Sequence, residues 1–283
     1  MSLRTLTLET SWGRLTVAGG SRAGEATMVL LPQFRLALDA GRAHRALPPM
    51  TTVFLSHGHL DHVGGLPYWA SQRFLSSMGP GTVLAPRAIA ETLERLLAVT
   101  AELEGGRPYG VTIEPLDSGQ RWPLRRDMVL ETFSTDHWIP TLGCRLLWSH
   151  RHLRPELAGL PGEEIARRRR AGEEVSEIDR VPILSYCADT GPRLFEETPD
   201  ALDAEIVLIE CSFYRPADRD RARRYGHLHL DDLVAVAPKI RARHLVVLHP
   251  SRRQRLREVR RFLGDRLEPT LASQLHLLAV DWD

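Results

Sequence analysis

Apolar and polar positions change period along this chain, and each change marks an element. The region over 3–39 holds the runs LRTLTLE, GRLTVAG, ATMVLLP and FRLALDAG, with turn signals at Gly19, Gly20 and Pro32. Alternation of this kind predicts an antiparallel meander of three or four strands. Thr52 to Leu55 predicts a buried strand, and an apolar helical segment is predicted from near Val63, with an amphipathic helix over 67–77. Ile89, Leu93, Leu96, Leu97, Val99 and Leu103 recur at helical spacing, predicting a surface helix over 87–104. Beyond it, the strand runs GTVLAP, VTIEPL, DMVLETFST, PILSYCAD, EIVLIECSF, HLVVLHP and LHLLAV alternate with helical patterns over 194–201, 229–241 and 254–263. The order is β-rich first and mixed afterwards. It predicts an α/β (α+β) fold of two mixed β-sheets packed face to face with helices outside. No internal repeat is visible in the sequence.

One segment breaks the pattern. Residues 150–181 are nearly free of large apolar side chains, and Arg167 to Arg170 form a basic run between Glu163, Glu164 and Glu173, Glu174. It reads either as a solvated helix with i,i+4 ion pairs or as an excursion whose arginines meet a phosphate backbone. The expectation is one domain over 1–283 with this segment as an insertion. Lys and Arg total 37 against 36 Asp and Glu, so no net charge draws the chain to nucleic acid. Cys144, Cys187 and Cys211 are far apart in apolar contexts. That usage predicts free thiols in a reducing compartment. No apolar run approaches a membrane span, and the first residues lack the form of a secretion signal. The expected location is cytoplasmic, with no membrane partner.

Candidate chemistry is concentrated where the strand over 52–55 ends. His57, His59, Asp61 and His62 fall within six residues, followed by Gly64 and Gly65. Imidazole nitrogen and aspartate oxygen are zinc ligands. His57 and His59 project to one side of an extended segment, whereas Asp61 and His62 diverge and can serve a second ion. More ligands are needed for two ions, and three further residues stand at strand ends: His137, Asp189 and His249. The reading assigns His57, His59 and His137 to one ion and Asp61, His62 and His249 to the other. Asp189 bridges, because a carboxylate has two oxygens. Nitrogen and oxygen donors favour two Zn2+, with Mn2+ allowed by ligand type. Asp39 ends a strand too, and is read either as a partner that orients a histidine of the loop or as a turn aspartate.

The His-x-His-x-Asp-His run after an apolar strand resembles the signature of the metallo-β-lactamase fold superfamily, a four-layer αβ/βα sandwich. In that superfamily a redox di-iron site typically carries glutamate at the position of His59, so the resemblance implies hydrolysis. The flanks resemble ribonuclease Z: FSTDHWIPTLGCRL, SYCADTGP, IECSF, GHLHLDDL and LVVLHPSRR fall in the family's order. The resemblance spans roughly residues 30–255. It implies that His227 lies near the scissile phosphate, where it can donate a proton to a leaving oxygen, with His229 as its competitor. Asp61 would both bind metal and orient the attacking hydroxide. Cys144 stands where the family has an aromatic residue, Leu228 where it has serine or threonine, and LETSWG where it has a Leu-Gly-Thr/Ser loop. The family's long tRNA-gripping arm would be short here and would lie in 150–181.

The first reading is a di-zinc phosphodiesterase in which a metal-bridging hydroxide attacks an RNA 3′ end or a smaller phosphodiester. Arg215, Arg219, Arg221, Arg223 and Arg224 precede His227. Of these, Arg223 and Arg224 are the expected substrate-binding pair; their alternative is a solvated turn paired with Asp218 and Asp220. A homodimer is an allowed assembly. One rival keeps the fold and hydrolyses a carboxylic ester, lactone or thioester. Another is a nucleic-acid-binding protein with an idle metal site.

Overall fold

A computed structural model describes residues 3–267, 271 and 274–280. The first sheet runs in chain order: β1 (Arg4–Thr10), β2 (Gly13–Arg22), β3 (Ala26–Leu31), β4 (Leu36–Leu38), β5 (Thr52–Phe54), β6 (Gly81–Pro86) and β7 (Val111–Leu116). The second runs β8 (Arg121–Arg125), β9 (Met128–Ser134), β10 (Leu142–Leu153), β11 (Ser176–Tyr186), β12 (Ile206–Glu210), β13 (His244–Leu248) and β14 (Leu275–Leu277). In each sheet the first four strands pair antiparallel and the last four pair parallel. The expected pair of mixed sheets is therefore present. It also has a regularity that the sequence conceals, because the two sheets repeat one pairing scheme.

Side-chain alternation builds the layers. Phe54 of β5 enters a core shared by both sheets, while Val53 and Leu55 face the helices on the other side. Ile206 and Leu208 of β12 enter the same shared core, while Val207 and Ile209 face the opposite helix layer. A period of two thus buries both faces of each strand. Helices cover the outside. Those on the first sheet are α1 (Leu60–Val63), α2 (Leu66–Leu75) and α3 (Arg87–Leu103). Downstream follow α4 (Gly162–Arg170), α5 (Leu194–Glu197), α6 (Arg219–Tyr225), α7 (Leu230–Val236) and α8 (Leu256–Leu267). Buried Leu230, Leu233, Val259 and Leu263 of α7 and α8 pack on the second sheet.

Several expectations are corrected. The helices predicted over 194–201 and 229–241 are shorter, because Pro199 and Pro238 convert their ends to 3-10 turns. Strand β8 was not expected, and only the start of β10, around Gly143 and Cys144, was implied by the resemblance; β8 alternates weakly and the outer part of β10 runs into charged sequence. Segment 150–181 is not one helix; it leaves the sheet as an excursion built from two strands and the short helix α4. β10 pairs with β9 only as far as Trp148, and β11 pairs with β12 only from Leu184. Beyond those points Ser149–Leu153 and Ser176–Arg180 continue as a two-stranded ribbon. Its far end carries α4, where Glu164 pairs with Arg167 and Arg168. The polar side chains are there because both faces of the ribbon meet water.

Candidate metal centre

The polar residues of interest stand at the carboxyl ends of strands, on one edge of the sandwich. Asp39, Ala188 and His249 have left-handed backbone, with φ of 59°, 51° and 59°. Residues with a Cβ resist this conformation, at about 1–3 kcal/mol each. Here each instance sits at or just before a site residue, directly past β4, β11 or β13. At Ala188 the reversal comes just before Asp189, and at Asp39 and His249 it falls on the site residue itself. The loop after β5 is fixed from beneath. A Cβ on Gly41 would overlap the Asp61 carbonyl, and one on Gly65 would overlap the Arg42 backbone, so residues 39–42 and 61–65 touch main chain to main chain.

All seven predicted ligands come together. Donor atoms of His57, His59, His137 and Asp189 lie within 4.8 Å of one another, and so do those of Asp61, His62 and His249. His57 Nε2 lies 3.0 Å from His59 Nδ1, and the His137 ring stands 5.2 Å from that of His57. His62 Nε2 is 3.3 Å from His249 Nε2, and His249 Nε2 is 3.4 Å from Asp61 Oδ2. Asp189 joins the two groups. Its Oδ2 is 3.7 Å from His57 Nε2 and 3.4 Å from His62 Nε2, while its Oδ1 is 3.6 Å from His249 Nδ1.

The outward nitrogens are occupied. His57 Nδ1 bonds Ser56 Oγ at 2.9 Å, His62 Nδ1 bonds Asp39 Oδ2 at 2.7 Å, and His137 Nδ1 donates to the Gly226 carbonyl at 2.9 Å. Each ring therefore directs Nε2 inward, and His137 Nε2 is buried with no hydrogen-bond partner. An unmatched buried nitrogen facing other imidazoles and a carboxylate fits a bound divalent cation, and outward hydrogen bonds of this type orient metal ligands. The histidines and aspartates thus supply the donor chemistry of a two-cation site. Asp39, fully buried, is the anchor beneath it. It accepts from Ser56 N at 2.7 Å, Ser56 Oγ at 2.8 Å and Tyr186 OH at 2.5 Å, besides bonding His62. Of its two sequence readings, the orienting partner is the one the geometry matches.

Proton affinities follow from crowding. Burial, reinforced by His62, holds the His57 imidazole well below its ordinary range. Burial lowers His59 and His137 as well. Burial acts to lower His62 too, yet Asp189 and Asp39 outweigh it and push the ring well above the usual range. Burial acts to raise Asp189, and the surrounding His249 and His62 overcome it, keeping the carboxyl ionised. The same balance, with a His249 hydrogen bond, keeps Asp61 ionised. His57, His59 and His137 are thereby held neutral beside ionised carboxylates, the states that ligate cations, whereas His62 must release its proton to bind one.

A second group adjoins the first. His227 Nδ1 lies 2.6 Å from Glu210 Oε1 and 3.9 Å from Asp189 Oδ2. Burial would lower His227, but the Glu210 carboxylate overrides it and raises the ring to about 9. Glu210 is buried, and its other bonds come from Thr190 N at 3.1 Å and Ser212 Oγ at 2.7 Å. Sequence reasoning placed Glu210 only within an acidic strand and gave it no role. Its signal was the same as that of Asp189: a carboxylate ending an apolar strand. The competitor His229 is buried and caps α7, accepting from Asp231 N and donating to the Arg215 carbonyl. It is a helix cap, not a site group.

The arginine run divides. Arg215 pairs with Glu258, Arg219 with Asp231 and Arg221 with Asp218. Arg223 and Arg224 are exposed in the last turn of α6 and, among the described residues, form no ion pair. Gly226, which ends α6, accepts from His137 through its carbonyl, so the end of this helix abuts one of the ligand residues. The segment whose alternative reading was a solvated turn is a short helix, in which Arg221 pairs with Asp218 as that reading had it. Trp138, largely exposed, stands 5.5 Å from the His59 ring at the rim.

Comparison with known proteins agrees with this geometry. The model of the beta-lactamase superfamily domain matches residues 25–250. The chain is 32% identical to tRNase Z TRZ1 of Arabidopsis thaliana, over 86% of this chain and 88% of that protein. It is 36% identical to a nuclear ribonuclease Z of Triticum aestivum, over 56% of this chain and 90% of the other. Among solved structures, the human tRNase Z short form superposes with a TM-score of 0.57 at 18% identity, covering 93% of this chain and 95% of that one. The metallo-beta-lactamase fold protein YhfI of Bacillus subtilis gives 0.61 at 15% identity, covering 91% and 93%. Two seven-stranded mixed sheets, strand-end histidines and aspartates, and these matches have one reading: the chain belongs to the beta-lactamase superfamily and, within it, to the ribonuclease Z family of metal-dependent hydrolases.

Proposed function

We propose that this chain is a di-zinc phosphodiesterase that cleaves RNA, with a transfer-RNA-like substrate suggested by the names of its relatives. The observation that carries the proposal is Asp189, which faces both histidine groups while His227 and Glu210 stand beside it. His57, His59 and His137 would hold one ion and Asp61, His62 and His249 the other, with Asp189 shared. Two divalent ions would lower the pKa of a water and neutralise charge on a phosphate, and the donor set favours zinc over manganese.

The chain's own residues supply the rest. Glu210 keeps His227 protonated at neutral pH, and its bond to Nδ1 leaves Nε2 to deliver a proton to the leaving oxygen. Asp61 is held through Oδ2 by the Gly24 amide at 2.6 Å and can orient the attacking water. Arg223 and Arg224 would grip phosphate oxygens. The reading takes 1–283 as one domain, supported by the core that both sheets share. Three buried free cysteines support a reducing, cytoplasmic setting, and no helix among the described residues is long and apolar enough to cross a membrane. A homodimer is part of the reading, checked by sedimentation.

The test is elemental analysis of purified protein together with turnover of RNA, a chromogenic phosphodiester and a lactone. Stoichiometric zinc with phosphodiester turnover is expected. Lactone turnover far above phosphodiester turnover would overturn the reading.

A further inference from the structure

Past His249 the chain turns through Pro250 and Ser251 into α8, and a basin of about 680 Å³ opens there. Its lining is Arg22, Gln254, Leu256 and five more arginines between 252 and 260, with no acidic side chain. The five are exposed and, among the described residues, form no ion pair within 4 Å; nearby Glu258 is engaged by Arg215. Like charges this close repel, and Arg257 and Arg260 are neighbours on one helix face. The floor is built rather than incidental. Arg22 is buried and donates to the Ser251 carbonyl at 3.2 Å and the Gln254 carbonyl at 2.7 Å, which fixes the loop. Gln254 is 2% exposed, and neither its Oε1 nor its Nε2 has a hydrogen-bond partner. A buried amide with both atoms unmatched, inside a wall of guanidiniums, is a preformed polar contact waiting for a ligand atom.

The basin adjoins the metal-ligand cluster. Arg253 follows His249 by four residues, so the two Cα atoms are at most ~14 Å apart. Arg22 ends β2, and two residues later the Gly24 amide holds Asp61. An anion in the basin and one at the cluster therefore rest on the same pair of loops.

We propose that this basin is an anion site that receives a backbone phosphate of an RNA strand, away from the bond being cleaved. The assignment rests on the phosphodiesterase reading above and adds a second grip that sets strand affinity. Guanidinium forks match phosphate oxygens in pairs, and several together make affinity salt-dependent.

The test compares zinc-loaded wild type with Arg257→Ala/Arg260→Ala and with Arg257→Lys/Arg260→Lys. Binding of a labelled single-stranded RNA is read by fluorescence anisotropy across a salt series, and KM is read on the same RNA. The alanine pair should bind RNA about 10-fold more weakly, with a salt slope shallower by about one to two units. The lysine pair should restore the slope, and kcat and KM on bis(p-nitrophenyl) phosphate should stay at wild-type values. Unchanged melting temperature separates these effects from misfolding. RNA affinity and slope equal to wild type in the alanine pair overturn the proposal. So does a basin that binds inorganic phosphate alone, seen as phosphate-dependent thermal stabilisation lost in Gln254→Ala while RNA binding is intact. Failure of the phosphodiesterase reading would show separately, as RNA bound at the basin with no phosphodiester turnover by wild type.

Discussion

The two sheets share one pairing scheme, so their strand ends can be compared one for one. β4 corresponds to β11, β5 to β12 and β6 to β13. β4 and β11 are each followed by a left-handed residue and an aspartate: Asp39 is itself the turn, and Asp189 follows the turn at Ala188. Yet Asp39 is sealed beneath the site as an acceptor for Ser56, His62 and Tyr186, whereas Asp189 faces both histidine groups. The first sheet places four candidate ligands in the single loop after β5, and the second spreads His137, Asp189, Glu210 and His249 over four strand ends. Equivalent backbone positions thus carry unlike chemistry. The first sheet supplies a rigid block and the second closes over it.

The sharpest way to break this contrast is to neutralise the two aspartates in turn. On the two-ion reading proposed above, Asp189→Asn should strip the bound metal, measured by elemental analysis, and take RNA turnover to background while the far-ultraviolet spectrum is retained. Glu210→Gln comes next. If His227 is the proton donor proposed above, this variant should keep its metal content and lose about 10²–10³-fold in kcat, because only that proton is lost. Asp39→Asn should be milder, weakening metal binding by about 10–100-fold in a chelator competition, with kcat near normal once metal is saturating. If Asp39→Asn proved as severe as Asp189→Asn, the division between anchor and ligand would fail.

The smallest effect concerns pH in metal-free protein. Glu210 raises His227 above its unfolded value, so the pair's stabilisation is fully present below the ordinary histidine pKa of about 6.5 and is lost as pH rises through about 9. Denaturant midpoints should show metal-free wild type above Glu210→Gln at about pH 6, with the gap narrowing by about pH 10. A gap that widened with pH would reverse the sign and remove the His227–Glu210 pair as its source.

This contrast also explains what the sequence disclosed. The loop after β5 was legible because its ligands are contiguous and follow an apolar strand. His137, Asp189 and His249 were legible because each ends such a strand. Glu210 ends an apolar strand as well, but its partner His227 lies 17 residues away, and no local pattern joins them. Paired sheets were readable from alternation, whereas β8 and the outer half of β10 were not, since strands wetted on both faces lose the apolar period. Arg223 and Arg224 stood out as charge, but only packing separates them from Arg215 and Arg219, whose acids come from α8 and α7, while Arg221 takes the local Asp218 that the sequence offered.

The ribbon formed by β10 and β11 works as a ruler. β10 starts five residues after His137 and β11 stops three before Asp189, so both rails are rooted at the metal-ligand cluster. Twelve strand residues in β10 at ~3.4 Å each put the α4 end on the order of 40 Å along the rail. Whatever is held at that end is set at a distance counted in residues. Removing two residues from each rail would draw the tip in by ~7 Å and keep every side chain on its own face. Removing one from each would shift the tip by half as much and turn over each side chain beyond the cut. Reach on this molecule therefore changes in steps of two wherever the facing of the side chains is kept.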